Sequence, residues 1–187
     1  EVDELFVCPA SGDEGLAVGA ALQANFELSI QDGNICSKTP LKDLYFGTSF
    51  SNEQIEKTLK EKNLFSEAQY IDDIDYEIGE LLSKEDNIIA RFSEQMEWGP
   101  RGLGNRSILA NASNLEITRK LNHAIKMRDF WMPFGPSILH DRIDDYLING
   151  KHSPHMIIAF DTTNNRKDIT AAIHPFDLTC RPQTVSS

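Results

Sequence analysis

Glu97-Trp98-Gly99-Pro100-Arg101-Gly102-Leu103-Gly104-Asn105-Arg106-Ser107 is the stretch on which the reading of this chain turns. Gly99, Gly102 and Gly104 let the backbone turn tightly and approach a ligand, and their N–H groups can line an anion site. Arg101 and Arg106 add planar forks that match the oxygens of phosphate or carboxylate. The spacing fits neither a Walker loop nor a dinucleotide fingerprint. The plain alternative is a Gly-rich turn whose arginines pair with Glu94 and Glu97.

Downstream, Asn122-His123-Ala124-Ile125-Lys126-Met127-Arg128 offers two more cations, Lys126 and Arg128, two positions apart. On an extended segment they point the same way, whereas on a helix they diverge. Pro133 and Pro136 forbid a continuing helix. An extended arrangement that aims both at a phosphate is therefore open, beside the simpler reading of cations that complement a helix dipole. Phe130, Trp131 and Phe134 can pack a core or stack a base. Further on, His174 and Asp177 can polarise or orient a ligand, with Arg181 adding a cation. His152 and His155, separated by Pro154, are too loosely spaced to read as a metal pair.

The surrounding pattern alternates helices and strands. Leu5-Phe6-Val7-Cys8 reads as a strand stopped by Pro9, and Asp13 as the cap of a helix through Gly15–Leu22, where Gly15 and Gly19 suggest close backbone approach. Residues 29–50 look irregular. Ser51 with Gln54 is a capping-box pattern, and Asp73 caps an acidic helix over Ile74–Ser83 with Ile78, Leu81 and Leu82 inward. Residues 87–92 read as a strand. Ser113 and Glu116 suggest a second capping box, for a helix whose Ile117, Leu121, Ala124 and Ile125 share its core face. Pro136–Leu139, His155–Phe160, Ile169–His174 and Arg181–Val185 read as strands. The fold class is α/β or α+β. A polar connector near residues 62–70 divides the chain into 1–64 and 65–187.

The net charge is −11, yet all eight arginines fall after residue 90, and the first 90 residues hold 6 basic against 19 acidic side chains. An acidic chain is a poor general nucleic-acid binder, while a local cluster of arginines can still grip a small phosphorylated ligand. Three scattered cysteines argue against a disulfide framework and a cysteine-held zinc. No apolar run approaches the ~18 residues of a membrane span. The acidic opening lacks a basic leader, and the expected compartment is the cytoplasm.

Taken together these stretches resemble the O-carbamoyltransferases of nodulation-factor and antibiotic biosynthesis. Residues 9–21 look like the end of the family's Kae1-like domain, which has the actin/Hsp70-type ATPase fold. Residues 96–110 look like the opening of its C-terminal YrdC-like domain, a twisted mixed sheet with helices. Leu121-Asn122, Ile125-Lys126, Arg128, Pro133-Phe134 and Pro136-Ser137 continue the pattern. The resemblance implies that carbamoyl phosphate and ATP, with Mg, yield carbamoyl adenylate. The carbamoyl group then passes to a hydroxyl of a small-molecule acceptor. Carried over by position, Arg101, Lys126 and Arg128 bind the phosphates, with Arg106 and Ser107 beside them. Asp13 helps hold a metal, iron or another divalent ion, while His174, Asp177 and Arg181 are added to the substrate site from their residue types. Neither nucleic acid nor membrane is an expected partner, and a homo-oligomer is compatible.

This chain departs from the family in places. Met132 stands where an arginine is common, and Asn111-Ala112-Ser113 replaces Asp-Pro-Arg. Gly102 and Gly135 replace alanines, with little expected effect. The family's closing Asn-Thr-Ser-Phe-Asn segment and its metal-binding histidines are not among the 187 residues, so the expectation is a portion of a larger enzyme. A non-catalytic nucleotide-binding or interaction module of the same fold is the alternative.

Overall fold

A computed structural model describes residues 6–36, 41–84, 86–127, 129 and 132–186. Helices and small sheets alternate, so the fold is mixed α and β, as the hydrophobic pattern implies. Helix α1 (Glu14–Gln31) starts after Asp13, but the Asp13 side chain makes no cap bond, and no α1 residue is buried. Gly15 packs against the Ala10 carbonyl, whereas nothing lies close to Gly19. The strand expected from Leu5 lies partly outside the described residues, and 6–8 are irregular.

Helix α2 (Asn52–Glu61) carries the full capping box. Gln54 N–H donates to Ser51 Oγ, and Ser51 N–H donates to the Gln54 side chain. Helix α3 (Ile74–Ser83) is capped by Asp73, whose carboxylate accepts from Tyr76 N–H. Strands β1 (Ile88–Phe92) and β2 (Arg106–Ala110) then pair antiparallel, Ile88 against Ala110 and Phe92 against Arg106. The quoted loop is the connection between them.

Helix α4 (Leu115–Leu121) departs from expectation at both ends. Its cap is Asn114, which accepts from Glu116 N–H, because Ser113 is already tied to Asn111 through both its N–H and its hydroxyl. Beyond Leu121 the chain widens into one π-turn over Asn122–Lys126, closed by Met127 N–H on the Asn122 carbonyl. The wider turn shifts the register of the following side chains. Ile117 and Leu121 are buried as expected, but Ala124 and Ile125 face solvent, with Ile125 51% exposed.

The remaining strands are short. β3 (Ser137–Leu139) pairs parallel with β6 (Gln183–Val185), and β4 (Phe160–Asp161) pairs antiparallel with β5 (Thr179–Cys180). The strand expected over His155–Phe160 is irregular until Phe160, since Met156 holds a positive φ of 54° that breaks an extended run. Ile169–His174, expected as a strand, instead belongs largely to a 3-10 run over Asn164–Ala172, capped by Thr163. Its apolar side chains are buried either way: Ile169 joins Ile138, Ile143, Leu147, Phe160 and Cys180 in the core, where α5 (Ile143–Tyr146) also packs. Burying such side chains contributes about 1.5–3 kcal/mol each. This core stands behind β3 and β6, which frame the site. Among the described residues no helix is long and apolar enough to cross a membrane.

Candidate functional site: a cation-lined cavity

The loop is organised by a carboxylate. Glu97 Oε1 accepts from the N–H groups of Leu103 (2.7 Å), Asn105 (2.8 Å) and Arg106 (3.1 Å). The residue is only 8% exposed. Burial by itself raises its carboxyl, but the backbone N–H donors outweigh that and hold it below the usual carboxylate range. Glu97 therefore shapes the backbone and pairs with neither arginine. The Leu103 carbonyl is tied down from two sides, by Tyr45 Oη (3.0 Å) and Gln183 Nε2 (2.8 Å).

Two of the three glycines are needed for their backbone: φ is +103° at Gly99 and +117° at Gly104. Gly102 is needed for space. An alanine Cβ there would lie 2.8 Å from the Arg106 carbonyl oxygen and 2.9 Å from Ser107 Oγ, so in this chain the glycine is not neutral. At Gly135 a Cβ would sit 3.0 Å from the Arg181 carbonyl oxygen, again tighter than ordinary packing.

Arg101, Lys126 and Arg181 come from three separate segments and line one cavity of about 210 Å³, with Ser107 and Ser137 among its polar walls. The π-turn ends at Lys126, which therefore joins this wall while Ile125 stays outside. A neighbouring cavity of about 540 Å³ shares Arg101, Pro133, Phe134, Gly135 and Arg181, and adds Met132, His174 and Asp177. Among the described residues neither the Arg101 guanidinium nor the Lys126 ammonium has a hydrogen-bonding or ion-pairing partner within the protein. Asp177 is the one acidic residue among the described lining of the two cavities. Its Oδ1 accepts from the Thr179 N–H and hydroxyl, which hold the carboxyl below its usual range, and it lies 3.1 Å from His174 Nδ1. A cavity with cations in excess favours a polyanionic ligand.

Arg106 behaves differently from the role expected of it. Its guanidinium donates to the carbonyls of Ser93, Thr48, Glu94 and Asn105 and lies over the Phe92 ring at 3.6 Å. Four carbonyls and an aromatic face occupy its fork, so it braces the loop, and only the position is shared with the cavity. Ser107 Oγ accepts from Gly104 N–H (2.9 Å). Arg128, Phe130 and Trp131 lie outside the described residues. Asp13 is exposed, and among the described residues no three His, Cys, Asp or Glu side chains converge as a metal-binding group. Asp13 offers one carboxylate and no complete ligand set.

Sequence reasoning missed the office of Glu97, and it passed over Gln183. The signal for Glu97 was an acid just ahead of a Gly-rich loop, but only the converging N–H groups distinguish an organiser from an arginine partner.

The loop between β1 and β2 and Lys126 both fall within a segment that matches a known protein family. The carbamoyltransferase C-terminus family model matches residues 80–187, and the chain belongs to that family. An uncharacterized protein of Methanocaldococcus jannaschii is 40% identical over 187 residues, covering 97% of this chain and 34% of that protein. Nodulation protein NolO of Bradyrhizobium diazoefficiens is 34% identical over 190 residues, covering 98% of this chain and 33% of NolO. Nodulation protein NolNO of Sinorhizobium fredii is 29% identical over 187 residues, covering 98% and 27%. The chain thus spans a third or less, roughly, of the length of the curated relatives it matches.

Proposed function

We propose that this chain supplies the phosphate-gripping half of a carbamoyltransferase, forming carbamoyl adenylate from carbamoyl phosphate and ATP before transfer to a hydroxyl of a small acceptor. What carries the reading is the meeting of Arg101, Lys126 and Arg181 around one cavity inside a chain of the carbamoyltransferase family. Each desolvated charge-assisted bond from such a cation to a phosphate oxygen contributes roughly 1.5–3 kcal/mol. Preplaced cations favour a transition state in which negative charge gathers on phosphoryl oxygens.

In this reading water cleaves the P–O bond of carbamoyl phosphate to give inorganic phosphate and carbamate, and a carbamate oxygen bonds to the α-phosphorus of ATP as pyrophosphate leaves. The acceptor hydroxyl then takes the carbamoyl group and AMP leaves. Arg101 lies on both cavities and bridges the two substrates. Lys126 and Arg181 hold further oxygens, and Arg128, which lies outside the described residues, is assigned the same role from the sequence match. His174, fixed against Asp177, offers its remaining ring nitrogen to the larger cavity. Mg would arrive on the ATP phosphates. The metal assigned to Asp13 needs ligands beyond the described residues, and no step is assigned to it.

Met132 favours the alternative of a nucleotide-binding module without turnover, because it lines the larger cavity with a thioether where the family commonly has an arginine. One experiment separates the two. In the intact protein, pyrophosphate release should require ATP and carbamoyl phosphate together and fall at least ~10-fold in Arg101→Ala and in Lys126→Ala. Tight ATP binding without any pyrophosphate would favour the module, and release undiminished in both variants would refute these sites.

A further inference from the structure

A second group of chemically active side chains stands away from the cation-lined cavity. His140 follows β3 in a 3-10 turn, and His152 precedes Ser153, whose N–H donates to Thr184 Oγ1 on β6 (2.8 Å). The two strands and the 152–153 segment bring the imidazoles together, although twelve positions separate them in the chain. His140 Nδ1 and His152 Nδ1 are 3.2 Å apart, with ring centroids at 5.0 Å and planes at 76°.

Thr184 adds to the arrangement. Its hydroxyl already accepts from Ser153 N–H and lies 3.2 Å from His152 Nδ1. His152 Nδ1 thus stands at 3.2 Å from both Thr184 Oγ1 and His140 Nδ1. That nitrogen has one lone pair, so an ion bound there takes the place of the Thr184 contact. Two nitrogens bound to one ion at about 2.0–2.1 Å, with an angle near 100° between them, stand about 3.2 Å apart. The observed separation is that of a chelating pair. Thr184 is 2% exposed and both imidazoles are exposed, so one side of the pair is fixed and the other is open to water.

We infer that His140 and His152 form a two-histidine site for a divalent first-row transition ion of the zinc type, bound through both Nδ1 atoms. Water completes the coordination. Neutral imidazoles suit zinc, copper and nickel and discriminate against magnesium and calcium. The ion ties the end of β3 to the segment alongside β6. Ser137 and Gln183 on those strands line the cation-lined cavity, so the site braces its rear wall. The inference is independent of the carbamoyltransferase reading.

The test uses the intact protein stripped of metal and titrated with Zn²⁺ against a chromophoric chelator at neutral pH. Wild type should bind one equivalent more than His140→Gln and His152→Gln, with all other equivalents unchanged. Zn²⁺ should also raise the melting temperature of wild type more than that of either variant. Histidine ring NMR on wild type provides the readout that needs no variant: Zn²⁺ should shift the Nδ1 resonances of two rings together. Equal Zn²⁺ stoichiometry in wild type and variants would overturn the inference, as would two rings that share a proton and do not respond to Zn²⁺.

Discussion

Replacing Glu97 by glutamine tests the loop at its organising point. The carboxylate receives three backbone N–H bonds at 2.7, 2.8 and 3.1 Å in a nearly buried position. Glutamine keeps one acceptor oxygen and the shape, but it turns charge-assisted bonds into neutral ones and places an N–H₂ group where the second oxygen was. Charged bonds are worth about 1.5–3 kcal/mol and neutral ones about 0.5–1.5, so three of them lose roughly 3–4.5 kcal/mol. The assay is urea unfolding of the intact protein followed by the fluorescence of Trp98, which adjoins the carboxylate in sequence. The pH dependence sharpens the test. Glu97 titrates lower in the folded protein than its ordinary value of 4.5. Its contribution is therefore complete above that ordinary value and is lost as pH falls through the lowered folded value. Glutamine does not titrate, so the gap between the two proteins should close on acidification. A gap under ~0.5 kcal/mol at pH 7, within the range of an ordinary surface change, would refute the reasoning. So would a gap of constant size down to pH 3.

Two further outcomes follow from the geometry. Gly102→Ala should destabilise the loop by ~1–3 kcal/mol in the same unfolding assay, because the new Cβ meets a backbone oxygen at 2.8 Å and not a yielding side chain. A neutral result would mean the loop relaxes freely. Leu121→Ala should cost ~2–5 kcal/mol while Ile125→Ala stays within about 0.5 kcal/mol, although regular helical spacing puts both on one face. Equal losses in a thermal melt would mean that the π-turn does not turn Ile125 outward.

Much of the local structure was legible in the chain because it depends on neighbours a few positions away. Ser51 with Gln54 and Asp73 before Ile74 announce helix starts through bonds that span three residues. The reading failed where local groups competed: Ser113 lost the cap to Asn114 because the Asn111 side chain engages it first. It failed again at Ile169–His174, where β-branched and small residues compose equally well a strand or a buried 3-10 run.

The candidate site divides along the same line. Residue types and glycine spacing alone marked 97–107 as either an anion loop or a Gly-rich turn and named Arg101, Lys126 and Arg181 as candidate cations, since charge and backbone freedom belong to the residue itself. Tertiary structure decided what engages each cation at the cavity. Arg106 and Arg101 are chemically identical and five positions apart. Both line the smaller cavity, but four carbonyls and the Phe92 ring occupy the guanidinium of Arg106, while Arg101 also lines the larger cavity. Likewise, nothing in the spacing of His140 and His152 predicts nitrogens 3.2 Å apart; that distance comes from the parallel pairing of β3 with β6 and the Ser153–Thr184 bond. A sequence specifies the donors and acceptors a chain carries, but which partner saturates each is settled by distance in the folded protein.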